Sequence, residues 1–101
     1  MKGWYVYILR CHDGTLYTGI ALDLRRRIEA HQRGAAARYT RSRRPVALAY
    51  RERQPDRSRA LRREAALRQL GRAGKLALIA ASRSLRVPDE EQGPVRVDRH
   101  A

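Results

Sequence analysis

The 101-residue chain has no phenylalanine, one tryptophan and one cysteine. Without phenylalanine, a core must rest on Leu, Ile, Val, Ala and Tyr. The single Cys11 excludes an internal disulfide and a cysteine-ligated metal cluster. No apolar run approaches the ~20 residues of a membrane-spanning helix, so no membrane partner is expected. The stretch Trp4 to Leu9 is too short for a secretory signal and runs straight into Arg10 and a turn. A cytoplasmic protein is the expectation. The length fits one domain and argues against a second core.

Lysine is nearly absent as well, at Lys2 and Lys75 only, yet the chain is strongly basic. Lys and Arg together number 23 against 10 Asp and Glu, a formal net charge of +13. A surplus of that size attracts polyanions, of which nucleic acid is the commonest. Arginine forks onto phosphate with two parallel N–H donors, which lysine cannot do. Codon usage at the source can explain Arg over Lys, but not the surplus itself.

Trp4 to Cys11 is aromatic and β-branched and predicts a strand. His12-Asp13-Gly14 is a turn signal, and Thr15 to Ile20 predicts a second strand, closing a hairpin. Asp23 caps a helix over about Leu24 to Arg33, ended by Gly34. Ala35 to Arg44 reads as a basic loop. A third strand follows Pro45, roughly Val46 to Arg53, alternating at Val46, Leu48 and Tyr50. Pro55-Asp56 opens a helix to about Leu70. Gly71 and Gly74 break the pattern before a last helix, Lys75 to about Arg83. The order β-β-α-β-α-α predicts an α+β fold, a small three-stranded antiparallel sheet flanked by helices. Residues 1–83 form the expected domain and 84–101 a mobile tail. In that tail Asp89, Glu90, Glu91 and Asp98 outnumber Arg86, Arg96 and Arg99, so the positive charge belongs to the domain.

On the first helix, Leu24 and Ile28 mark the buried face, with Arg27 and His31 beside them one turn apart. They could line a pocket; from spacing alone, a snorkelling arginine and a satisfied core histidine are the commoner arrangement. Glu64, flanked on its helix by Ala60, Leu61 and Leu67, is the only acid between Arg57 and Lys75. A carboxylate on an inner face needs a partner. An arginine is the commoner one, and a divalent metal is the other. The tyrosines depend on register. A two-residue Asp13-Gly14 turn sets Tyr7 and Tyr17 on opposite faces of the sheet. A three-residue loop with Gly14 left-handed pairs Tyr7 with Gly19 and Leu9 with Tyr17, so both tyrosines share a face. Gly19 then allows a close approach beside Tyr7.

These pieces, in this order and spacing, resemble the GIY-YIG nucleases, and most of all the small stand-alone bacterial members. The first motif stands as Tyr5-Val6-Tyr7 and the second as Tyr17-Thr18-Gly19. Arg27 and His31 follow within DLRRRIEAH. RYTRSRRPVALAY (Arg38 to Tyr50) and LRREAALRQL (Leu61 to Leu70) are also similar to those members, with Glu64 at the metal-binding glutamate. The resemblance spans roughly Gly3 to Arg83. The first motif lacks its initial Gly and Ile, and Gln32 replaces an Asn common after the histidine. No Asn occurs anywhere, so the late Asn of several nuclease branches is missing.

The resemblance implies metal-dependent hydrolysis of phosphodiester bonds in DNA, directed by structure or backbone and with little sequence specificity. Glu64 would hold one Mg²⁺ or Mn²⁺. Arg27 would stabilise charge building on the phosphate. Tyr7 would take a proton from the attacking water, Tyr17 would hydrogen-bond nearby, and His31 would orient water or tyrosine or relay the proton. An unperturbed tyrosine has a pKa of about 10, so Arg27 and the metal must favour its ionised form. Arg38, Arg41, Arg43 and Arg44 in the loop, with Arg25, Arg26, Arg62 and Arg63, are the candidate phosphate contacts. RNA is a second polyanion, and a protein partner could supply specificity. Nothing demands an oligomer, and a monomer is assumed. Two other classes remain at this point: a non-catalytic nucleic-acid-binding module on the same fold, and a basic RNA-associated protein. The phosphate-contact reading predicts that DNA affinity falls steeply as salt rises; a flat plot of log affinity against log salt would contradict it.

Overall fold

The computed structural model describes residues 3–85. Strand β1 (Trp4–Cys11) runs through the middle of a three-stranded sheet of order β2-β1-β3, with β2 (Leu16–Ala21) and β3 (Val46–Gln54) both antiparallel to it. A central strand covered on both faces needs apolar residues at nearly every position. YVYIL supplies them: residues Tyr5 to Leu9 are all buried.

The alternation of β1 builds two cores. Tyr5, Tyr7, Leu9 and Cys11 pack with Ala21, Leu24, Ile28 and Val46 on one face. Val6 and Ile8 pack with Ala60, Leu67 and Ile79 on the other. Helix α1 (Leu24–Arg33) therefore covers the first face, while α3 (Arg57–Gln69) and α4 (Gly71–Leu85) cover the second. This is the expected α+β fold.

Both predicted caps are present. Asp23 accepts from the Arg26 N–H at 3.2 Å, and Asp56 from the Arg59 N–H at 2.8 Å. Gly34, at φ 80°, closes α1 through N–H bonds to the Ala30 and His31 carbonyls.

Three details depart from the expectations. The basic loop is not wholly irregular: Arg38–Arg41 winds one helical turn, α2. The break between the last two helices falls at Gly71, at φ 72°, whereas Gly74 lies within α4 and packs against Leu70. The alternation read into β3 also fails. Ile8 pairs with Tyr50 but Leu9 pairs with Leu48, so Ala49 is an extra residue opposite β1. Val46 and Leu48 consequently face α1, while Tyr50 turns to the α3 face. Of the tail expected at 84–101, helix α4 takes in the first two residues, and the remainder lies outside the described residues.

Cys11 and Thr15 close the hairpin, with the Cys11 N–H bonding the Thr15 carbonyl at 2.8 Å, and Gly14 sits at φ 86°. A Cβ at Gly14 meets nothing within 4 Å, so a side chain there pays only in backbone strain. Gly14→Ala is expected to lower the unfolding free energy by about 1 kcal/mol, measurable by urea denaturation.

Candidate active site

The three-residue loop sets the register on which the site depends. Tyr7 lies opposite Gly19 and Leu9 opposite Tyr17, so both tyrosines point to the α1 face. Of the two arrangements open from the residues, this is the one with a shared face. Gly19 is required by contact: a Cβ there would lie 2.7 Å from the Tyr7 hydroxyl and 3.2 Å from the Tyr17 ring. The Tyr7 phenol thus crosses directly over the Gly19 backbone.

Behind it stands His31, 1% exposed on the inner face of α1. Tyr7 Oη lies 2.8 Å from His31 Nε2, and His31 Nδ1 lies 2.8 Å from Thr40 Oγ1. The Thr40 hydroxyl donates onward to the Ala37 carbonyl at 3.2 Å. A carbonyl only accepts, which gives the whole chain a direction. Thr40 spends its proton on Ala37 and so accepts from Nδ1–H. The neutral imidazole then has its lone pair at Nε2, where it accepts from the Tyr7 O–H.

The charges agree with that direction. Burial, then the neighbouring Tyr17, holds the Tyr7 phenol well above the ordinary tyrosine range, against the opposing pull of Arg27; Glu64 adds a smaller push upward. Burial and the Arg27 charge press His31 down to about 4. At neutral pH the pair is a protonated phenol facing a neutral imidazole.

Tyr17 extends the cluster outward. Its ring lies 6.4 Å from Tyr7 and 5.3 Å from His31, and stacks on Tyr39 at 5.8 Å. The Arg43 guanidinium covers Tyr39 at 4.0 Å from the ring centre. Arg43 is tied in turn to Asp13 at 3.1 Å and to the Tyr39 carbonyl at 2.9 Å. The hairpin tip and the α2 segment are thereby joined beside the site.

Arg27 is exposed on α1 and donates to the Ile20 carbonyl at 3.1 Å. Glu64 approaches from α3, on the far side of the sheet, and is half-buried. It pairs with Arg68 at 2.9 Å, and Arg68 also donates to the Thr18 carbonyl at 3.3 Å. An arginine partner for Glu64 is therefore present. Among the described residues no group of three or more His, Cys, Asp and Glu side chains could hold a metal. A single hard carboxylate does suit Mg²⁺ or Mn²⁺ of the kind that keeps several waters and shares the substrate's phosphate oxygens. The donor set fits that mode and not a protein cage.

The candidate phosphate contacts divide into two groups. Arg25, Arg26, Arg38, Arg41 and Arg62 are exposed or nearly so on α1, α2 and α3. The others have intramolecular tasks. Arg43 holds Asp13, and Arg44 donates to the Arg41 carbonyl at 2.8 Å and the Gln32 carbonyl at 3.2 Å. Arg63 pairs at 2.8 Å with Glu52, which also accepts from Tyr50 and Gln54. Sequence reasoning missed Thr40, Tyr39, Asp13 and Arg68. Arg68 alone carried a local signal, being one helical turn beyond Glu64.

Comparison with known proteins agrees with this geometry. The profile of the GIY-YIG catalytic domain matches residues 3–77. The chain belongs to the GIY-YIG family, a nuclease superfamily. Within it, the chain is similar to the UPF0213 protein of Desulfotalea psychrophila, 56% identical over 80 residues, covering 78% of this chain and 73% of that protein. The UPF0213 protein of Xanthomonas axonopodis is 48% identical over 81 residues, covering 80% and 79% of the two chains. Among solved structures, the UPF0213 protein of Bacillus halodurans is 41% identical with a TM-score of 0.51, covering 77% of this chain and 83% of its own. A protein from E. faecalis is 30% identical with a TM-score of 0.59, covering 89% and 99%.

Thr40→Val keeps the shape at position 40 but removes the acceptor for His31 Nδ1–H. An unsatisfied buried donor costs about 1–3 kcal/mol. We expect a loss of that order in chemical denaturation. Imidazole ¹⁵N shifts should show the proton fixed on Nδ1 in the wild type and no longer fixed there in the variant.

Proposed function

We propose that the protein is a divalent-metal-dependent endonuclease that hydrolyses phosphodiester bonds in DNA, recognising backbone and shape over base sequence. The observation that supports this most is the directed Tyr7–His31–Thr40 hydrogen-bond chain, with Arg27 acting on both rings. A phenol held this far above its ordinary pKa cannot serve as a base by being ionised beforehand. It can serve by passing its proton on. As an attacking water gives a proton to Tyr7 Oη, Tyr7 gives its own to His31 Nε2, and the imidazole becomes a cation held through Nδ1–H to Thr40.

The water oxygen forms the new bond to phosphorus as the bond to the leaving oxygen breaks. The leaving oxygen takes a proton from solvent water, and the proton held by His31 returns through Tyr7 to solvent, so a phosphomonoester and an alcohol result and the relay is reset. Arg27 faces the charge that builds on the phosphate oxygens. Tyr17, packed against both rings, holds the phenol in line with Nε2. Glu64 is the residue that would hold Mg²⁺ or Mn²⁺. That ion, when bound, supplies positive charge for a phosphate oxygen and the leaving group. The exposed arginines of α1, α2 and α3 add attraction that reads no bases.

The test is cleavage of labelled duplex, branched and single-stranded DNA, with RNA in parallel, in Mg²⁺, Mn²⁺ or EDTA. Glu64→Ala and Tyr7→Phe should each lower kcat by at least ~10². Full cleavage by Glu64→Ala defeats the metal assignment, and full cleavage by Tyr7→Phe defeats the relay. The pH profile gives a second check. The relay needs neutral His31, which the folded protein retains down to about pH 4. The acid limb of kcat/KM assigned to His31 should therefore lie well below 6.5, the ordinary histidine value.

A further inference from the structure

Strand β2 forms one edge of the sheet, and its outward carbonyls need donors from elsewhere. Two arginines supply donors to them, and a third reaches the adjoining hairpin tip. Arg27 from α1 donates to the Ile20 carbonyl at 3.1 Å, and Arg68 from α3 to the Thr18 carbonyl at 3.3 Å. Arg72 from α4 donates to the Gly14 carbonyl at the hairpin tip, at 2.7 Å. They reach the edge from both faces of the sheet, and all three are exposed. The Thr18 and Ile20 carbonyls lie on the same outer edge of β2. Thr18 and Ile20 are two residues apart, roughly 7 Å along a strand, close to the separation of neighbouring phosphates in an extended polynucleotide. Gly14 lies beyond them in the hairpin loop, just before β2 begins.

We propose that this row binds phosphates of one polynucleotide strand laid along the β2 edge toward the hairpin tip, with the reacting phosphate at Arg27, the next at Arg68 and one further along on the same side at Arg72. The proposal rests on the phosphodiester reading and adds a substrate track to it. Each guanidinium has five N–H donors. A bond to a strand carbonyl fixes its plane in advance and leaves other donors for a phosphate. Lys75 strengthens the track: its ammonium, half-buried, is pushed below the usual lysine range by burial and by the charge of Arg68. A phosphate beside Arg68 relieves that repulsion. Glu64 offsets part of the Arg68 charge. Contacts on one side of the cut also order the products, since the fragment lying along β2 is the one retained.

Arg72 tests the track, being furthest from the reacting groups. With DNA oligonucleotides in EDTA, Arg72→Gln should weaken binding several-fold and reduce the slope of log affinity against log salt by ~0.7–0.9, one phosphate contact. Arg72→Lys should restore most of the slope. End-labelled oligonucleotides under single turnover, mapped at the cut, give the phosphates required on each side. Wild type should need at least two more on one side than on the other, and Arg72→Gln should lose the outermost requirement. Unchanged affinity and slope in Arg72→Gln, or an unchanged one-sided requirement, overturns the track while metal-dependent cleavage stands. If wild type neither binds nor cuts a polynucleotide, the phosphodiester reading fails, and the track with it.

Discussion

The pairing of Tyr7 with Gly19 is the constraint on which the rest of the site depends. It follows from the three-residue hairpin loop, which a left-handed glycine at position 14 permits. One residue fewer in that loop would send Tyr7 and Tyr17 to opposite faces. The same pairing places the only side-chain-free residue of β2 under the phenol, where any Cβ would collide with it. The direction of the Tyr7 hydroxyl, its reach to His31 and the packing of Tyr17 all follow from it.

A second constraint is electrostatic. The chain carries a net +13, yet its buried polar centre is neutral. Tyr7 keeps its proton and His31 refuses one, each because burial penalises the charged form. The Arg27 charge presses in the same direction on His31. The result is a hydrogen-bonded pair that holds its one shared proton on the phenol and stays uncharged inside a strongly basic chain.

Much of this was legible in the residues. The caps at Asp23 and Asp56, the buried stripe of Leu24, Ile28 and His31, and the β-β-α-β-α-α order follow from local patterning that tertiary packing did not override. The tyrosine register was reduced to two alternatives and decided by the turn. What was not legible depends on contacts between distant parts of the chain. Thr40 lies in what reads as a polar basic loop, and nothing local marks its hydroxyl as the partner of a histidine nine residues earlier. Tyr39 becomes part of the cluster only because α2 folds back over Tyr17. Arg63, a candidate phosphate contact, is also paired with Glu52 across the sheet–helix interface, which nothing local in the sequence marks. The Ala49 bulge left no sign in the apolar alternation of β3, because small and large apolar residues occupy both faces there.

The sheet also acts as a partition. Tyr7 and His31 stand on one side of it with α1, and Glu64 on the other with α3, where its partner Arg68 reaches the Thr18 carbonyl at the β2 edge. Each half is anchored in its own core, one through Leu24 and Ile28, the other through Ala60 and Leu67. The packing that positions the Glu64 carboxylate is thus distinct from the packing that positions Tyr7 and His31, and the two communicate through charge, since Glu64 raises the Tyr7 phenol. Substitutions in one core can therefore move one set of polar groups while the side chains that anchor the other set stay in place.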